Sequence, residues 1–159
     1  MPAKSVSFAT LKNPVHFLAL GLGTGCSPWM PGTCGTLIGI LLFWFLHGLG
    51  LWLYMCITAA LLLAGIWLCD RTARNLGVPD HPAIVWDEIV GYLVTMIAVP
   101  AQWPWMLAGF LLFRFFDIVK PWPVSWADKK VRGGLGIMLD DVIAGLYGLV
   151  ILQIFLYML

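Results

Sequence analysis

The sequence predicts an all-α, polytopic membrane helical bundle. Three observations predict it. The chain is 61% hydrophobic and only 11% charged, whereas a soluble domain carries about 45–50% apolar and about 25% charged residues. No formal charge falls between Thr36 and Cys69. Gly and Pro clusters, rather than long polar loops, punctuate the apolar runs. With a mean hydropathy of +0.92, too little polar surface exists to coat a water-soluble globule. The 159 residues fit one small bundle, so residues 1–159 are expected to form a single membrane-embedded domain. A net charge of +1 argues against nucleic acid, which wants a basic face.

Residues 1–13 are polar and mildly basic, with Lys4 and Lys12, and read as a flexible N-terminus. Residues 14–22 suit a short N-terminal helix lying at the membrane interface. Gly21 to Thr36 is dense in Gly, Pro, Ser and Thr, so it is expected to be irregular. Thr33 or Thr36 would cap a helix starting near Leu37. This stretch is either a tight connector or a phosphate-facing loop, its backbone N–H groups adding to the positive end of that helix. The four cysteines show no CxxC spacing and read as small buried hydrophobes.

As one helix, Thr36–Cys69 would run about 50 Å, well past a hydrocarbon core of about 30 Å. His47-Gly48-Leu49-Gly50 breaks it, predicting a helical hairpin with His47 in the turn. The first leg, about 37–46, is short for a full span unless the preceding loop is also buried. The second leg can continue past Asp70 until Gly77 and Pro79 stop it. His81, between Asp80 and Pro82, reads as a turn residue rather than a ligand.

Ile84–Val99 is the third apolar helix, interrupted only by Asp87, Glu88, Gly91, Tyr92 and Thr95. Asp87 and Gly91 share a face at i,i+4, where a glycine lets a second helix approach. Pro100 and Pro104 bracket the turn to a helix at about 104–119, on which Arg114 and Asp117 share a face. Lys120-Pro121-Trp122-Pro123 ends it, since the residue before Pro avoids the α region. Asp128–Gly134 is polar and basic and reads as flexible. A last helix starts near Leu139 or Asp140, with Asp141, Gly145 and Gly148 in one stripe.

Lys and Arg fall in 1–12, 71–74 and 114–132, whereas the turns at 47–50 and 100–104 carry neither. By the positive-inside rule the basic segments are cytoplasmic. All eight acidic residues, Asp70, Asp80, Asp87, Glu88, Asp117, Asp128, Asp140 and Asp141, then lie at the cytoplasmic boundary. Such a cluster repels itself unless cations or shared protons neutralise it. Oxygen-only ligation selects hard ions, Mg²⁺ first. Arg114, Lys120, and Lys129, Lys130 or Arg132 supply the cations that a phosphate needs. An ion so placed polarises a phosphoryl oxygen and activates water. A site at the interface points to a lipid whose phosphate headgroup reaches the acids while its tails stay in the bilayer.

Four ordered blocks of the chain closely resemble phosphatidylglycerophosphatase A. They are Ile84-Val-Trp-Asp87-Glu88-Ile-Val-Gly91, Phe113-Arg114-Phe-Phe-Asp117-Ile-Val-Lys120-Pro121-Trp-Pro123, Gly133–Gly145 around Asp140-Asp141, and the turn Pro31-Gly32-Thr33-Cys-Gly35-Thr36. The resemblance implies a Mg²⁺-dependent enzyme of the bacterial inner membrane. That enzyme removes the terminal phosphate of phosphatidylglycerophosphate to give phosphatidylglycerol. By motif match, Asp87, Glu88, Asp117, Asp140 and Asp141 carry over as metal and catalytic residues, and Asp80 as a further metal ligand. Arg114 and Lys120 carry over as phosphate-binding residues, and Thr33 and Thr36 of the phosphate-facing turn are candidates beside them. Asp128 and Lys129 are secondary candidates. A metal-activated water is the preferred nucleophile and an aspartyl-phosphate the alternative. The sequence leaves open a homo-oligomer, a phosphatase acting on another lipid phosphate, and a small divalent-cation carrier. A carrier would spread its acids across the bilayer depth.

Overall fold

Apolar helices hold the chain together, and no strand occurs among the described residues, Val6 and Phe8–Met158, of the computed structural model. Of the N-terminal 13 residues, 1–5 and 7 lie outside the described residues. Phe8–Leu11 forms one turn, α1. Helix α2, Pro14–Ala19, is capped by Asn13, whose side chain accepts from the Val15 N–H at 3.0 Å. His16 pins α2 to the bundle: Nδ1 lies 2.9 Å from Thr72 Oγ1 and Nε2 lies 2.9 Å from Asn75 Nδ2. Burial, and then the nearby Arg71 charge, lower its pKa.

The Gly-rich stretch is more regular than expected. Gly21–Cys26 coils as 3₁₀ turns, and α3 starts at Pro31 and runs to Leu46. Met30, left-handed at φ 48°, ψ 61°, precedes Pro31 at the first helical position, where a missing N–H costs nothing. Thr33 and Thr36 are therefore inside α3 and neither caps it. Thr36 is buried and donates to the Gly32 carbonyl at 2.9 Å. The earlier start also lengthens the first leg. With the 3₁₀ turn His47–Leu49 it makes a 19-residue apolar segment.

Helix α4 runs from Leu51 to Leu76 and stops at Gly77, left-handed at φ 70°, as the sequence indicates. Helix α5 is much shorter than the apolar run that contains it, spanning only Trp86–Thr95. Pro100 disfavours helix at Val99, and Ala98 turns left-handed at φ 57°. Helix α6 covers Trp103–Val119, and Lys120 closes it in the left-handed region. Val124–Lys130 forms a helix, α7, which takes in Asp128–Lys130, the first three residues of the segment expected to be flexible. Helix α8 begins at Gly133, six residues before the expected start at Leu139, and reaches Met158. Its glycines pack instead of breaking the helix: a Cβ on Gly134 would strike the Ile66 carbonyl of α4.

The segments Pro31–Leu49, Leu51–Leu76 and Gly133–Met158 are long and apolar enough to cross a membrane. Trp52 and Trp103, 79% and 75% exposed, mark one end of the bundle, and Trp29 and Trp122, 81% and 77% exposed, mark the other. Amphipathic rings favour such headgroup levels. Of the cysteines, only Cys69 is buried; Cys26 and Cys56 are exposed, and all four are free thiols. That corrects the expectation of four buried cysteines, because Cys56 lies on a helix that turns much of its surface outward.

Helix α5 is wrapped by α3, α4, α6 and α8, and eight of its residues are buried. A helix of ten residues cannot satisfy its own terminal carbonyls, and hydrocarbon offers no water to do so. The Met96 and Ile97 N–H groups take the Tyr92 and Val94 carbonyls, and a side chain takes the next: Tyr54 Oη donates to the Leu93 carbonyl at 2.6 Å. Just past the helix, Gln153 Nε2 donates to the Ile97 carbonyl at 2.9 Å. Glycines let α8 close in: a Cβ on Gly145 would meet the Gly91 carbonyl at 2.5 Å, and one on Gly91 would crowd the Phe113 ring. The close approach expected from the Asp141–Gly145–Gly148 stripe is thus present.

Candidate active site

Chain direction brings the site together. At one end lie the start of α3, the segment before α5, the start of α5, the end of α6 and the first two turns of α8. At the other end, Phe43, His47, Tyr54, Met96 and Val99 line a small apolar cavity. The acids separated by up to 61 positions between Asp80 and Asp141 therefore share one end.

The segment ahead of α5 is held by the Gly-rich turns. The Val85 N–H donates to the Ala19 carbonyl at 3.0 Å. A Cβ on Gly25 would collide with the Ala83 carbonyl, and one on Gly35 would come within 2.7 Å of Val85 Cβ. Much of the glycine content of that loop thus serves packing that fixes where Asp87 and Glu88 point. His81 belongs to the same scaffold: it is buried and its Nδ1 accepts from the Ala83 N–H at 3.1 Å.

A cavity of about 340 Å³ opens at this junction, lined by Asp80, Asp87, Glu88, Asp117, Asp140, Asp141, Arg114 and Lys120. Met30, Pro31 and Gly32 line its α3 side, whereas Thr33 and Thr36 do not. The turn expected to face phosphate thus meets the cavity through Met30, Pro31 and Gly32 and not through its threonines. A Cβ on Gly32 would run into Glu88 Oε1 and lie 3.1 and 3.2 Å from the two terminal Arg114 nitrogens. Helix geometry also leaves the Gly32 and Thr33 N–H groups without intrahelical partners.

The two cations are already engaged. Arg114 Nη1 is 2.5 Å from Asp117 Oδ2 and 3.9 Å from Glu88 Oε1. Lys120 Nζ bridges Asp128 Oδ1 at 2.5 Å and Asp140 Oδ2 at 2.7 Å. Burial alone would lower the Lys120 pKa, but its hydrogen bonds and charge contacts with Asp128 and Asp140 outweigh that and raise it. Lys120 adopts φ 47°, a conformation an L residue holds at a cost of about 1–3 kcal/mol.

Six carboxylates thus face two cations. Asp87, Glu88 and Asp141 can each present a carboxylate oxygen within 4.8 Å of the others. Asp87 Oδ1, Glu88 Oε2, Asp140 Oδ1 and Asp141 Oδ2 are buried with no hydrogen-bond partner. Buried unpaired carboxylate oxygens are strongly disfavoured unless something positive completes them. Their oxygen-only chemistry and crowding fit a hard divalent ion. Asp80 sits at the rim. Loss of water in the crevice raises its pKa, helped by Asp128 and Asp117 and opposed by Lys120. Asp128, the secondary candidate, does not line this cavity and pairs with Lys120. Lys129 points to a neighbouring cavity. Asp70, left out of the motifs, pairs with Arg74 at 2.8 Å and accepts from the Gly134 N–H at 3.3 Å, tying α4 to α8.

Comparison with known proteins matches this arrangement to a named group. An Escherichia coli (strain K12) protein named phosphatidylglycerophosphatase A is 47% identical over 146 residues, covering 89% of this chain and 84% of its own. A Haemophilus influenzae protein of the same name is 45% identical over 152 residues, covering 94% and 91%. A Bacteroides thetaiotaomicron relative, provisionally named a phosphatidylinositol-3-phosphatase, is 36% identical over 145 residues, covering 86% and 90%. No solved structure matches. The sequence profile of phosphatidylglycerophosphatase A matches residues 17–156, a stretch that takes in every helix of the cavity, and the chain belongs to that family.

Proposed function

We propose that this protein hydrolyses the terminal phosphate of phosphatidylglycerophosphate to give phosphatidylglycerol and inorganic phosphate, with Mg²⁺. We place it in the bacterial inner membrane with the cavity facing the cytoplasm. The observation that carries the reading is the group of buried, unpartnered carboxylate oxygens beside Arg114, at one end of a bundle long and apolar enough to cross a membrane. Family membership supports the reaction, and the names of the two close relatives support the substrate.

Asp87, Glu88 and Asp141 would hold the ion, with Asp140 completing the cluster. A divalent cation held there neutralises charge on the phosphoryl oxygens and makes water more acidic. Arg114 commits Nη1 to Asp117 but keeps a buried Nε–H without a partner. That donor is free for a phosphoryl oxygen, a geometry to which the guanidinium fork is suited. Lys120 fixes Asp140 from the cavity wall. Water oxygen adds to phosphorus as the bond to the headgroup oxygen breaks, and the departing oxygen takes up a proton. Acids gathered at one end, rather than spread across the bundle, favour this over a cation carrier. Phosphate release by purified, detergent-solubilised protein from phosphatidylglycerophosphate, phosphatidic acid and phosphatidylinositol 3-phosphate tests it. Release fastest from the first is expected, and no release from it would refute the assignment.

A further inference from the structure

A second cavity, about 470 Å³, adjoins the first. Asp80, Ile137 and Asp140 line both, so the wall between them is one side chain thick. Its other lining includes Asp128, Lys129 and Arg132, together with Gly133 and Gly136 from the first turn of α8. Within the catalytic cavity both cations are tied to carboxylates. Lys129 and Arg132, by contrast, have no carboxylate within ion-pair distance among the described residues. Two of the acids on this side, Asp128 and Asp140, are held by Lys120. Lys129 and Arg132 therefore place positive charge without an ion-pair partner beside the catalytic cavity and not in it.

We infer that this second cavity is a phosphate subsite, in which Lys129 and Arg132 bind a second phosphate group while the first lies at the carboxylate cluster. The inference rests on the function proposed above and deepens it. The substrate carries two phosphates joined through a three-carbon glycerol unit: the terminal monoester that is cleaved and the diester that is kept. One compact linker can place the monoester at Asp87, Glu88 and Asp141 and the diester across the Asp80–Asp140 wall. Lys129 and Arg132 would then be specificity residues, selecting a headgroup with two phosphates over phosphatidic acid, which has one. They are exposed, so replacing them does not open the core.

The test uses full-length protein in detergent with Mg²⁺ and two probes that cannot be hydrolysed, pentane-1,5-bisphosphonate, which matches the five-atom span between the two phosphorus atoms, and pentylphosphonate. Calorimetry should show the bisphosphonate binding at least tenfold tighter, and Lys129→Ala with Arg132→Ala should remove most of that advantage. Lys130→Ala, which lines neither cavity, should keep it. Kinetics then identify the source of the second phosphate. A fall in kcat/KM for phosphatidylglycerophosphate relative to phosphatidic acid assigns the subsite to the lipid diester. An equal loss of inhibition by orthophosphate with both lipids, at unchanged preference, assigns it to released product. A bisphosphonate that binds no tighter than the monophosphonate, or an advantage that survives the double variant, overturns the subsite. Because the probes report binding without turnover, that result is distinct from a failure to hydrolyse the lipid.

Discussion

Arg114 has more donors than its ion pairs use. Its Nη1 holds Asp117, while its Nε–H is buried and unpartnered. A lysine at this position keeps the charge but loses the fork and the second donor. Arg114→Lys should therefore lower kcat/KM at least tenfold, read from phosphate release at several lipid concentrations. The cluster acids should be less forgiving. Asp87→Asn and Asp141→Asn each replace one anionic oxygen of the group by an amide, which cannot neutralise a cation. Each should cut phosphate release by more than the roughly 10–100-fold typical of outer-shell changes, while detergent extraction and helical content stay normal. Full activity in both variants would remove these residues from the site. The residue types were legible in the sequence because charge in an apolar run must have a reason to be there. The α3 contribution was not. Thr33 and Thr36 carry the polar atoms, but the helix starts at Pro31 and turns them into its own first turns, so the cavity meets Met30, Pro31 and Gly32 instead.

Helix α5 shows what hydropathy cannot separate. The run Ile84–Val99 reads as a membrane span, yet only Trp86–Thr95 is helical, and it is buried among its neighbours instead of facing lipid. Both states demand apolar residues, so composition gives them the same signal. The glycines posed a related ambiguity. Gly133 and Gly134 read as the end of a flexible segment, but Gly134, like Gly136, lies where another stretch of chain passes too close for a Cβ, and α8 runs through both. The Gly145–Gly91 crossing was legible because a small residue one turn from an acid repeats on both helices. Gly145→Val should force α5 and α8 apart and destabilise the protein by about 1–3 kcal/mol, the usual cost of overpacking. Thermal unfolding in detergent, followed by circular dichroism, should show the lowered midpoint. An unchanged midpoint would mean that the crossing is looser than described.

Across the whole molecule, charge is sorted by end. The acids and the described Lys and Arg residues from Arg71 onward cluster towards the end where α4 and α6 finish and α8 begins, and the turns at 47–50 and 96–102 carry none. That sorting was readable from sequence alone, because each hairpin turn reverses the chain and so fixes which termini meet. The depth and shape of the cavity were not readable, because they depend on a short α5 and an early start to α8. By the positive-inside rule, we propose that the basic end faces the cytoplasm. In intact cells, an impermeant thiol reagent should label Gly48→Cys and Gln102→Cys in a cysteine-free background, and should label Lys130→Cys only after permeabilisation. The opposite pattern would reverse the proposed orientation. The central claim is that the buried carboxylates act by holding a divalent cation. The most direct measurement is phosphate release from phosphatidylglycerophosphate by purified protein stripped with EDTA and then given Mg²⁺. The account predicts loss of activity on stripping and recovery with Mg²⁺ in the native chain but not in Asp87→Asn. Activity that persists at full rate through chelation would contradict it.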